Sequence, residues 1–370
     1  MDTTGRASPK VLLALASCAS ALLLMEIAFR VMPAAPTPAA LRDRSLMFFQ
    51  DDEERRHPWS AVSGATNALR IAIVGDSFAR GEGIQLDDRY ANCLERLLNK
   101  NSGMPPAEVR VHAHAGTSTF EQIELLKEAL AHHPQIVILG ICLNDTEDWA
   151  NPKELEHWRS KLLPVIPPPW LAGVLRRSRA LGWIYTKVQL VGARRMELRY
   201  YRRLYDPCYK GFHRFREALE IMRTECDRDH VILIAMVFPL LSENLDEGQY
   251  PFEYAHAAIH KRCEELRIPC LDLLPAFRGA SPDRLQVIPV IDPHPNEIAH
   301  RMAAENLLEF LLTRGFIAAG YRPHEHAANH KREIWEQTIH RMQNPAGLCP
   351  SSGLAMPQAP CSAGVGRRSL

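Results

Sequence analysis

The chain has 370 residues, of which 46% are hydrophobic and 24% charged, which is enough apolar material for one large α/β domain or two small ones. Its formal net charge of +1 gives no overall reason to expect nucleic acid as a partner. The nine cysteines show no paired CxxC spacing, which excludes a zinc-ribbon type of protein and argues against a disulfide scaffold, although a pair between Cys263 and Cys270 stays open.

The first predicted element is an apolar helix near the N-terminus. Residues 11–32 contain fifteen uncharged residues before Glu26, and the apolar run that continues beyond it approaches the roughly 20 residues needed to cross a bilayer. The pattern predicts a membrane anchor over residues 1–33. A cleaved signal peptide and a lipoprotein signal ending at Cys18 are the alternatives. A short anchor before a large domain favours export of that domain, while basic residues on both sides leave the orientation weakly determined.

Shifts in composition predict the remaining domain organisation. Residues 34–68 are rich in proline, alanine and charge and predict a linker. A folded domain is predicted over 69–315, where apolar runs alternate with segments of helical period, and its insertion over 146–210 is too long for a simple crossover. Residues 316–370 predict a C-terminal extension with one amphipathic segment around Trp335 and an end of disordered composition.

The apolar runs predict the strands of an α/β fold. Five of them are bounded by turn residues, at 71–75, 109–113, 135–141, 231–238 and 268–273. Near-continuous apolar strands are typical of a parallel sheet covered by helices on both faces. Thr119 and Gln122 match a capping box, which predicts that the second connecting helix begins at residue 119. A last helix is predicted after Asn296.

Polar residues follow the predicted strands. In a parallel sheet, ligands bind outside the carboxyl ends of the strands. Four blocks follow strand runs in this sequence: Gly75-Asp76-Ser77, Gly116, Asn144-Asp145 and Asp292-Pro293-His294-Pro295-Asn296. We therefore expect these blocks to meet at one edge of the sheet.

Asp292 and His294 have the spacing of a carboxylate that orients a base. Each precedes a proline, which disfavours the helical conformation, and in an extended chain residues i and i+2 point to the same side. Asp292 can then accept a hydrogen bond from one ring nitrogen of His294. The other nitrogen is free to act as a base toward Ser77, as in a nucleophilic triad.

A serine that attacks an ester also needs hydrogen-bond donors for the oxyanion that develops. The candidates are the backbone N–H of Ser77, the backbone N–H of Gly116 and the side-chain amide of Asn144. Glycine suits this role because a substrate can approach its backbone closely.

These ordered blocks resemble those of the SGNH/GDSL hydrolases, and the resemblance covers about residues 69–315. It implies a flavodoxin-like three-layer α/β/α fold and ester chemistry without a cofactor or metal. The site residues that it implies are Ser77 as nucleophile, His294 as base, Asp292 as its orienter, and Ser77, Gly116 and Asn144 as the oxyanion hole.

Two positions depart from the common pattern of that family. Cys142 occupies the position of a glycine in the third block, next to the turn that carries Asn144. The acid and histidine are spaced Asp-x-His rather than Asp-x-x-His. The shorter spacing resembles the branch that contains bacterial exopolysaccharide O-acetyltransferases and membrane-anchored members of unassigned substrate, and it adds weight to acetyl transfer.

The same residues also have simpler interpretations. Ser77 could cap the start of a helix without any chemical role, and His294 could be structural or bind a metal. Asn144 could be an ordinary turn residue. A phosphate-binding loop is not expected, because the glycines after residue 75 lack a Lys-Ser/Thr signature. For Asp145 we favour capping a helix over competing with Asp292 for the imidazole.

The predicted insertion is strongly basic. Residues 176–203 contain nine basic residues and one acidic residue, with tyrosines and a tryptophan interleaved. This pattern fits a solvated helical face, a cap over the site, or a surface for anionic lipid or acidic glycan. Nucleic acid is not expected as a partner of an exported, tethered domain.

Together the patterns and the resemblance to the SGNH/GDSL hydrolases predict a membrane-anchored serine esterase with an extracytoplasmic catalytic domain and no cofactor. The expected substrates are small esters and acyl esters, above all acetyl esters, of an envelope or extracellular carbohydrate, which react through an acyl-enzyme on Ser77. The expected partners are the membrane and envelope polysaccharide machinery. The alternatives are a polysaccharide O-acetyltransferase with the same triad and a catalytically silent envelope scaffold.

Overall fold

A computed structural model describes residues 9–31, 67–100, 103–162, 167–289 and 292–322. The predicted linker, apart from its last two residues, lies outside these ranges. So does the C-terminal extension beyond residue 322, including the predicted amphipathic segment.

The described residues form seven strands and eleven α-helices. The strands are β1 (Leu69–Gly75), β2 (Ala107–Ala113), β3 (Ile136–Ile141), β4 (Ile232–Val237), β5 (Cys270–Asp272), β6 (Gln286–Ile288) and β7 (Asp292–Pro295). The helices are α1 (Pro9–Val31), α2 (Ser77–Arg80), α3 (Tyr90–Leu98), α4 (Gln122–Leu130), α5 (Pro152–Leu162), α6 (Pro169–Arg177), α7 (Arg179–Leu204), α8 (Lys210–Arg228), α9 (Glu253–Glu265), α10 (Leu274–Phe277) and α11 (Glu297–Thr313).

Five strands form one parallel sheet in the order β2-β1-β3-β4-β5. The prediction of an α/β fold with a parallel sheet is confirmed, and each predicted apolar run overlaps one of these strands. Every residue of β3 is buried, as are the last five of β1 and of β4. Their continuous apolar sequences follow from this environment, because a central strand of a three-layer fold contacts helices on both faces.

Helices cover both faces of the sheet. On one face α3 packs against α11 and against β2, and on the other α4 and α8 pack against each other and the sheet. Arg262 of α9 donates hydrogen bonds to the backbone oxygen of Arg216 in α8, which joins α9 to the second group. The sheet and both helical layers share one hydrophobic core.

The predicted start of the second connecting helix is wrong. Helix α4 begins at Gln122, three residues later than expected. The Thr119 hydroxyl contacts the Asp145 carboxylate at 3.4 Å instead of capping the helix. Thr119 and Gln122 match the capping-box pattern, but both contact Asp145 instead. The local sequence does not reveal this tertiary contact.

Helix α1 lies near the start of the described chain, and a packed segment beyond residue 315 lies at its end. Helix α1 has 23 residues, is apolar enough to cross a membrane, and has no buried residue. At the other end, the packed chain continues past residue 315. Ile317 and Tyr321 are buried, and the Tyr321 hydroxyl donates to the backbone oxygen of Pro105 at 2.9 Å.

The start of α2 depends on the absence of a side chain at Gly75. A Cβ at this position would lie 2.7 Å from the Ala79 Cβ and 3.0 Å from the backbone oxygen of Gly140. Both neighbours are held in place, one by the turn into α2 and the other by β3, which pairs with β1. Glycine therefore lets the residues that follow β1 turn sharply against the sheet.

We expect Gly75→Ala to lower the free energy of unfolding by about 1–3 kcal/mol, the usual cost of overpacking. Thermal or urea unfolding measures this change. Gly192→Ala in α7 is the matched control, because a Cβ there meets no atom within 4 Å. The control should be neutral or slightly stabilising, since alanine favours a helix. Equal stability of both variants would contradict the packing argument.

Candidate active site

Ser77 lies at the carboxyl end of a central strand. Strand β1 ends at Gly75, Asp76 caps the next turn, and α2 begins at Ser77. The Asp76 carboxylate accepts a hydrogen bond from the backbone N–H of Phe78 at 2.9 Å, which fixes the turn. Ser77 is half-buried, so its hydroxyl stands at the surface of the sheet edge and not within the core.

His294 and Asp292 are held by a small hairpin that the sequence analysis did not predict. Strand β7 contains both residues and pairs antiparallel with β6. Asn296 ends the hairpin by donating from its side-chain amide to the backbone oxygens of Arg284 and Gln286 at 2.9 and 3.1 Å. Its side-chain oxygen accepts from the first backbone N–H groups of α11. The asparagine thus fixes the hairpin to the layer that covers the sheet.

The structure brings three of the predicted residues together. The Ser77 Oγ lies 3.0 Å from His294 Nε2, and His294 Nδ1 lies 2.6 Å from Asp292 Oδ1. The same Asp292 oxygen accepts from the backbone N–H of His294 at 3.1 Å, so the carboxylate is held in place from two sides. In this arrangement Nε2 can accept the Ser77 proton while Asp292 stabilises the imidazolium that results.

The pKa values of His294 and Asp292 are shifted in opposite directions. Burial alone would lower the pKa of His294, but the hydrogen bond and charge of Asp292 outweigh it, and the net pKa lies above the ordinary value of 6.5. Burial likewise opposes ionisation of Asp292, and the histidine outweighs it, so the pKa of Asp292 is lowered. Asp292 therefore stays ionised wherever His294 can act as a base.

Two buried acids next to the site were not predicted as part of it. Asp76 is 1% exposed, and burial raises its pKa to about 6. Asp145 is fully buried, and burial followed by the charge of Asp76 raises its pKa well above the usual range. Asp76 also adds to the upward shift of the His294 pKa. A buried carboxylate carries no signal in a single sequence, because burial is a property of the fold.

Gly116 and Asn144 lie in the loops on either side of Ser77. Strand β1 pairs with β2 on one side and with β3 on the other, and Gly75 is aligned with the last residue of β2 and with Gly140 of β3. Each of the two flanking loops begins at the same edge. The backbone N–H of Thr119 donates to the backbone oxygen of Asp145 at 3.1 Å, which links the loops.

Gly116 and Asn144 each lie in a loop with a defined backbone conformation. Gly116 has a φ of 76°, in the left-handed region that favours glycine, and a Cβ there would meet no atom within 4 Å. Asn144 lies in a 3-10 turn over Leu143–Thr146 and is half-buried. The Asp145 carboxylate accepts from the backbone N–H of Cys142 at 3.3 Å and so holds this turn.

Cys142 does not disturb the third block. Its φ of −103° and ψ of 155° are extended values that any residue adopts, so the backbone here does not require a glycine. The cysteine is 1% exposed and contributes to the core. The departure from the common family pattern is therefore compatible with the turn that carries Asn144.

A family comparison covers the same part of the chain. The model of the GDSL-like Lipase/Acylhydrolase family matches residues 73–302, which is more than half of the chain and includes every candidate residue above. A search of curated proteins finds no match.

Solved structures with similar folds share little sequence with the chain. A putative lipolytic protein of the G-D-S-L family from Desulfitobacterium hafniense is 13% identical with a TM-score of 0.38, and the match covers 66% of this chain and 99% of that one. Acetylxylan esterase Axe2 from Geobacillus stearothermophilus is 14% identical with a TM-score of 0.41, over 66% and 94% of the two chains. Psychrotrophic esterase EstA from Pseudoalteromonas sp. is 11% identical with a TM-score of 0.38, over 67% and 100%.

The raised pKa of His294 gives a prediction about pH. The base must be neutral, so activity toward a soluble ester should fall as the pH drops through the raised pKa. Asp292→Asn removes the charge that raises it, and burial then dominates, so the acidic limb of kcat/KM should move to lower pH. We also expect kcat to fall by roughly 10²- to 10⁴-fold, because the base loses its orienting partner.

A pH–rate profile of both proteins measures this effect. Asp283→Asn is the matched control, since Asp283 is an exposed acid in a turn. It should leave the profile and kcat unchanged. An acidic limb that stays in place in Asp292→Asn would contradict the assignment of the limb to His294.

Proposed function

The chain belongs to the GDSL-like lipase/acylhydrolase family, and we propose that it is a serine esterase that acts through an acyl-enzyme on Ser77. The observation that carries the proposal is the pair of hydrogen bonds from Ser77 Oγ to His294 Nε2 and from His294 Nδ1 to Asp292 Oδ1. A serine that only begins a helix does not need an oriented imidazole at its hydroxyl.

The reaction divides into two steps. In the first, His294 Nε2 takes the Ser77 proton while Oγ attacks the ester carbonyl, and the tetrahedral oxyanion collapses to the acyl-enzyme as the leaving alcohol takes the proton from His294. In the second, water attacks the acyl-enzyme, His294 accepts its proton, and the acid is released as that proton returns to Ser77. The same residues serve both steps.

We assign the oxyanion hole to the backbone N–H groups of Ser77 and Gly116 and the side-chain amide of Asn144. The left-handed conformation and open surroundings of Gly116, and the position of Asn144 in the loop on the opposite side of Ser77, support this assignment. Each donor of this kind typically contributes about 10²- to 10³-fold in kcat.

The proposed substrates are acyl esters, above all acetyl esters, of an envelope or extracellular carbohydrate. Their support is the exposure of the site: the side chains of His294 and Asp292 are 30% and 26% exposed, so a long glycan can lie across them. The proposed location is extracytoplasmic, with α1 as a membrane anchor, because α1 is long and apolar enough to cross a bilayer and is not buried by the domain.

A second candidate function is transfer of an acetyl group to a carbohydrate hydroxyl. The Asp-x-His spacing of Asp292 and His294 favours it through the resemblance to O-acetyltransferases. The chemistry differs only in the acceptor, since a sugar hydroxyl replaces water in the second step and gives its proton to His294. A catalytically silent scaffold is the third interpretation.

We expect a fluorophosphonate probe to label Ser77 in the full-length protein, because Oγ is activated by His294. Ser77→Ala should remove the adduct, and His294→Ala should reduce labelling by roughly 10²-fold or more. Peptide mass spectrometry locates the adduct. Asn306→Ala, at a half-buried position in α11, is the control for a substitution outside the site. It should be labelled like the native protein. Absence of labelling in folded native protein would favour the scaffold.

The fate of the acetyl group distinguishes hydrolysis from transfer. With a soluble acetyl ester and an added oligosaccharide, an esterase should release acetate at a rate that the sugar does not change. A transferase should instead produce acetylated sugar faster than acetate. Mass spectrometry of the sugar, together with acetate release, measures both products, and Ser77→Ala should abolish both.

A further inference from the structure

Helices α6 and α7 carry an exposed surface that is both apolar and basic. Outside α1, seven large apolar side chains of the described residues are exposed, and six of them lie in these two helices. We call this surface the insertion patch; its apolar members are Trp170, Val174, Trp183, Val188, Leu190 and Val191. Residues 169–196 also contain six basic residues and no acidic one. A concentration of exposed apolar side chains in one place indicates a binding surface.

The insertion patch lies outside the hydrophobic core of the catalytic domain. The last turns of α7 are anchored in the core through the buried Tyr200, Tyr201 and Leu204. Arg194 pairs with Glu243 at 2.7 Å, and this ion pair marks the point where α7 reaches the domain. Arg179, Ala180 and Trp183 in the first half of α7 contact α1 instead, and α7 also packs against α6.

Glu26 connects the end of α1 to the start of α7. Its carboxylate accepts from the Ser178 hydroxyl at 2.8 Å and from the backbone N–H of Ala180 at 2.9 Å. Ser178 itself caps α7 by accepting from Leu181. The acid therefore lies at the positive end of a helix of 26 residues, where a carboxylate is stabilised. An acidic residue in an apolar helix is costly, and these contacts explain how it is accommodated.

Further contacts join the end of α1 to the start of α7 and the end of α6. The rings of Phe29 and Trp183 lie 5.7 Å apart, and Arg179 donates to the backbone oxygen of Phe29 at 2.8 Å. Arg30 pairs with Glu26 and donates to the backbone oxygen of Arg177 at 3.2 Å. The insertion patch is thus continuous with the last turns of α1, which is where a spanning helix leaves the hydrocarbon.

We propose that the insertion patch lies in the interfacial layer of the membrane that α1 spans and binds anionic phospholipid headgroups there. Tryptophan is favoured at the headgroup level, apolar side chains such as Val188 and Val191 enter the upper acyl region, and lysine and arginine contact phosphates. The contacts with α1 hold this surface at the depth where those interactions form. The catalytic domain is then attached to the membrane at two places, through the chain that follows α1 and through the insertion patch.

An acidic glycan is the competing partner for a basic surface. Such a ligand would account for the arginines, but it would leave the six apolar side chains in water. The apolar area and its continuity with α1 therefore favour lipid. The inference rests on α1 being a retained anchor, as proposed above, and does not depend on the ester chemistry.

Tryptophan quenching by brominated lipid tests the inference on the full-length protein. Intact mass comes first, since the mature chain must retain Glu26, and a chain cleaved after α1 would overturn the inference. The protein is then reconstituted in vesicles of phosphatidylcholine and phosphatidylglycerol with bromine near the headgroup end of the acyl chains. We expect strong quenching, and we expect Trp170→Phe with Trp183→Phe to remove more than about half of it.

The matched control is Trp149→Phe with Trp158→Phe, two half-buried tryptophans of the catalytic domain and α5. This control should retain the quenching. A variant with Arg176→Glu and Arg177→Glu should lose the difference between vesicles with and without phosphatidylglycerol. Quenching that survives in the Trp170 and Trp183 variant, or that does not depend on phosphatidylglycerol in the native protein, would overturn the proposal.

Two further measurements distinguish lipid binding from glycan binding and from the proposed esterase activity. If an acidic polysaccharide shields Trp170 and Trp183 from iodide while brominated lipid does not quench them, the surface binds glycan and the lipid proposal fails. Activity toward a soluble ester should be the same in native protein and in the Trp170 and Trp183 variant. An inactive native protein that still shows lipid quenching would refute the proposed esterase and leave the membrane contact supported.

Discussion

The hydrogen bond between Ser77 and His294 is the interaction on which the site depends. It joins residues 217 positions apart, so it requires both the sheet that carries Ser77 and the β6–β7 hairpin that carries His294. The central sheet positions Ser77, and the hairpin positions His294. Gly75 allows the close turn on one side, and Asn296 fixes the hairpin on the other. A few small structural residues thus decide whether the proposed nucleophile meets its base.

Burial gives the site its electrostatic character. Asp76 and Asp145 lie under the sheet edge with raised pKa values, while Asp292, which is partly exposed and paired, has a lowered one. Three carboxyl groups near one serine therefore have different protonation behaviour. Of the three, Asp292 is the acid that is hydrogen-bonded to the imidazole. The buried pair holds turns: Asp76 accepts from the backbone N–H of Phe78, and Asp145 accepts from that of Cys142 in the turn that carries Asn144.

The proposed membrane contact and the candidate active site lie in different parts of the same unit. The sheet edge carries the candidate active site, and the insertion that follows β3 carries the apolar and basic surface. Helix α7 connects the two, because it extends from the core to the end of α1. If the proposed membrane contact holds, the site has a fixed height and orientation above the bilayer, which suits an envelope carbohydrate presented at a surface.

The sequence alone determined the parallel α/β fold, the apolar N-terminal helix and the order of the blocks around Ser77, Gly116, Asn144 and His294. These are local: strand and helix periodicity, and chain positions next to strand ends, are written in short stretches. The tertiary structure alone decided the rest. It set the start of α4, because Thr119 contacts Asp145, and it formed the hairpin around Asp292. It also buried Asp76 and joined Glu26 to α7. Each of these depends on which distant residues become neighbours, and burial and long-range contacts have no local signal.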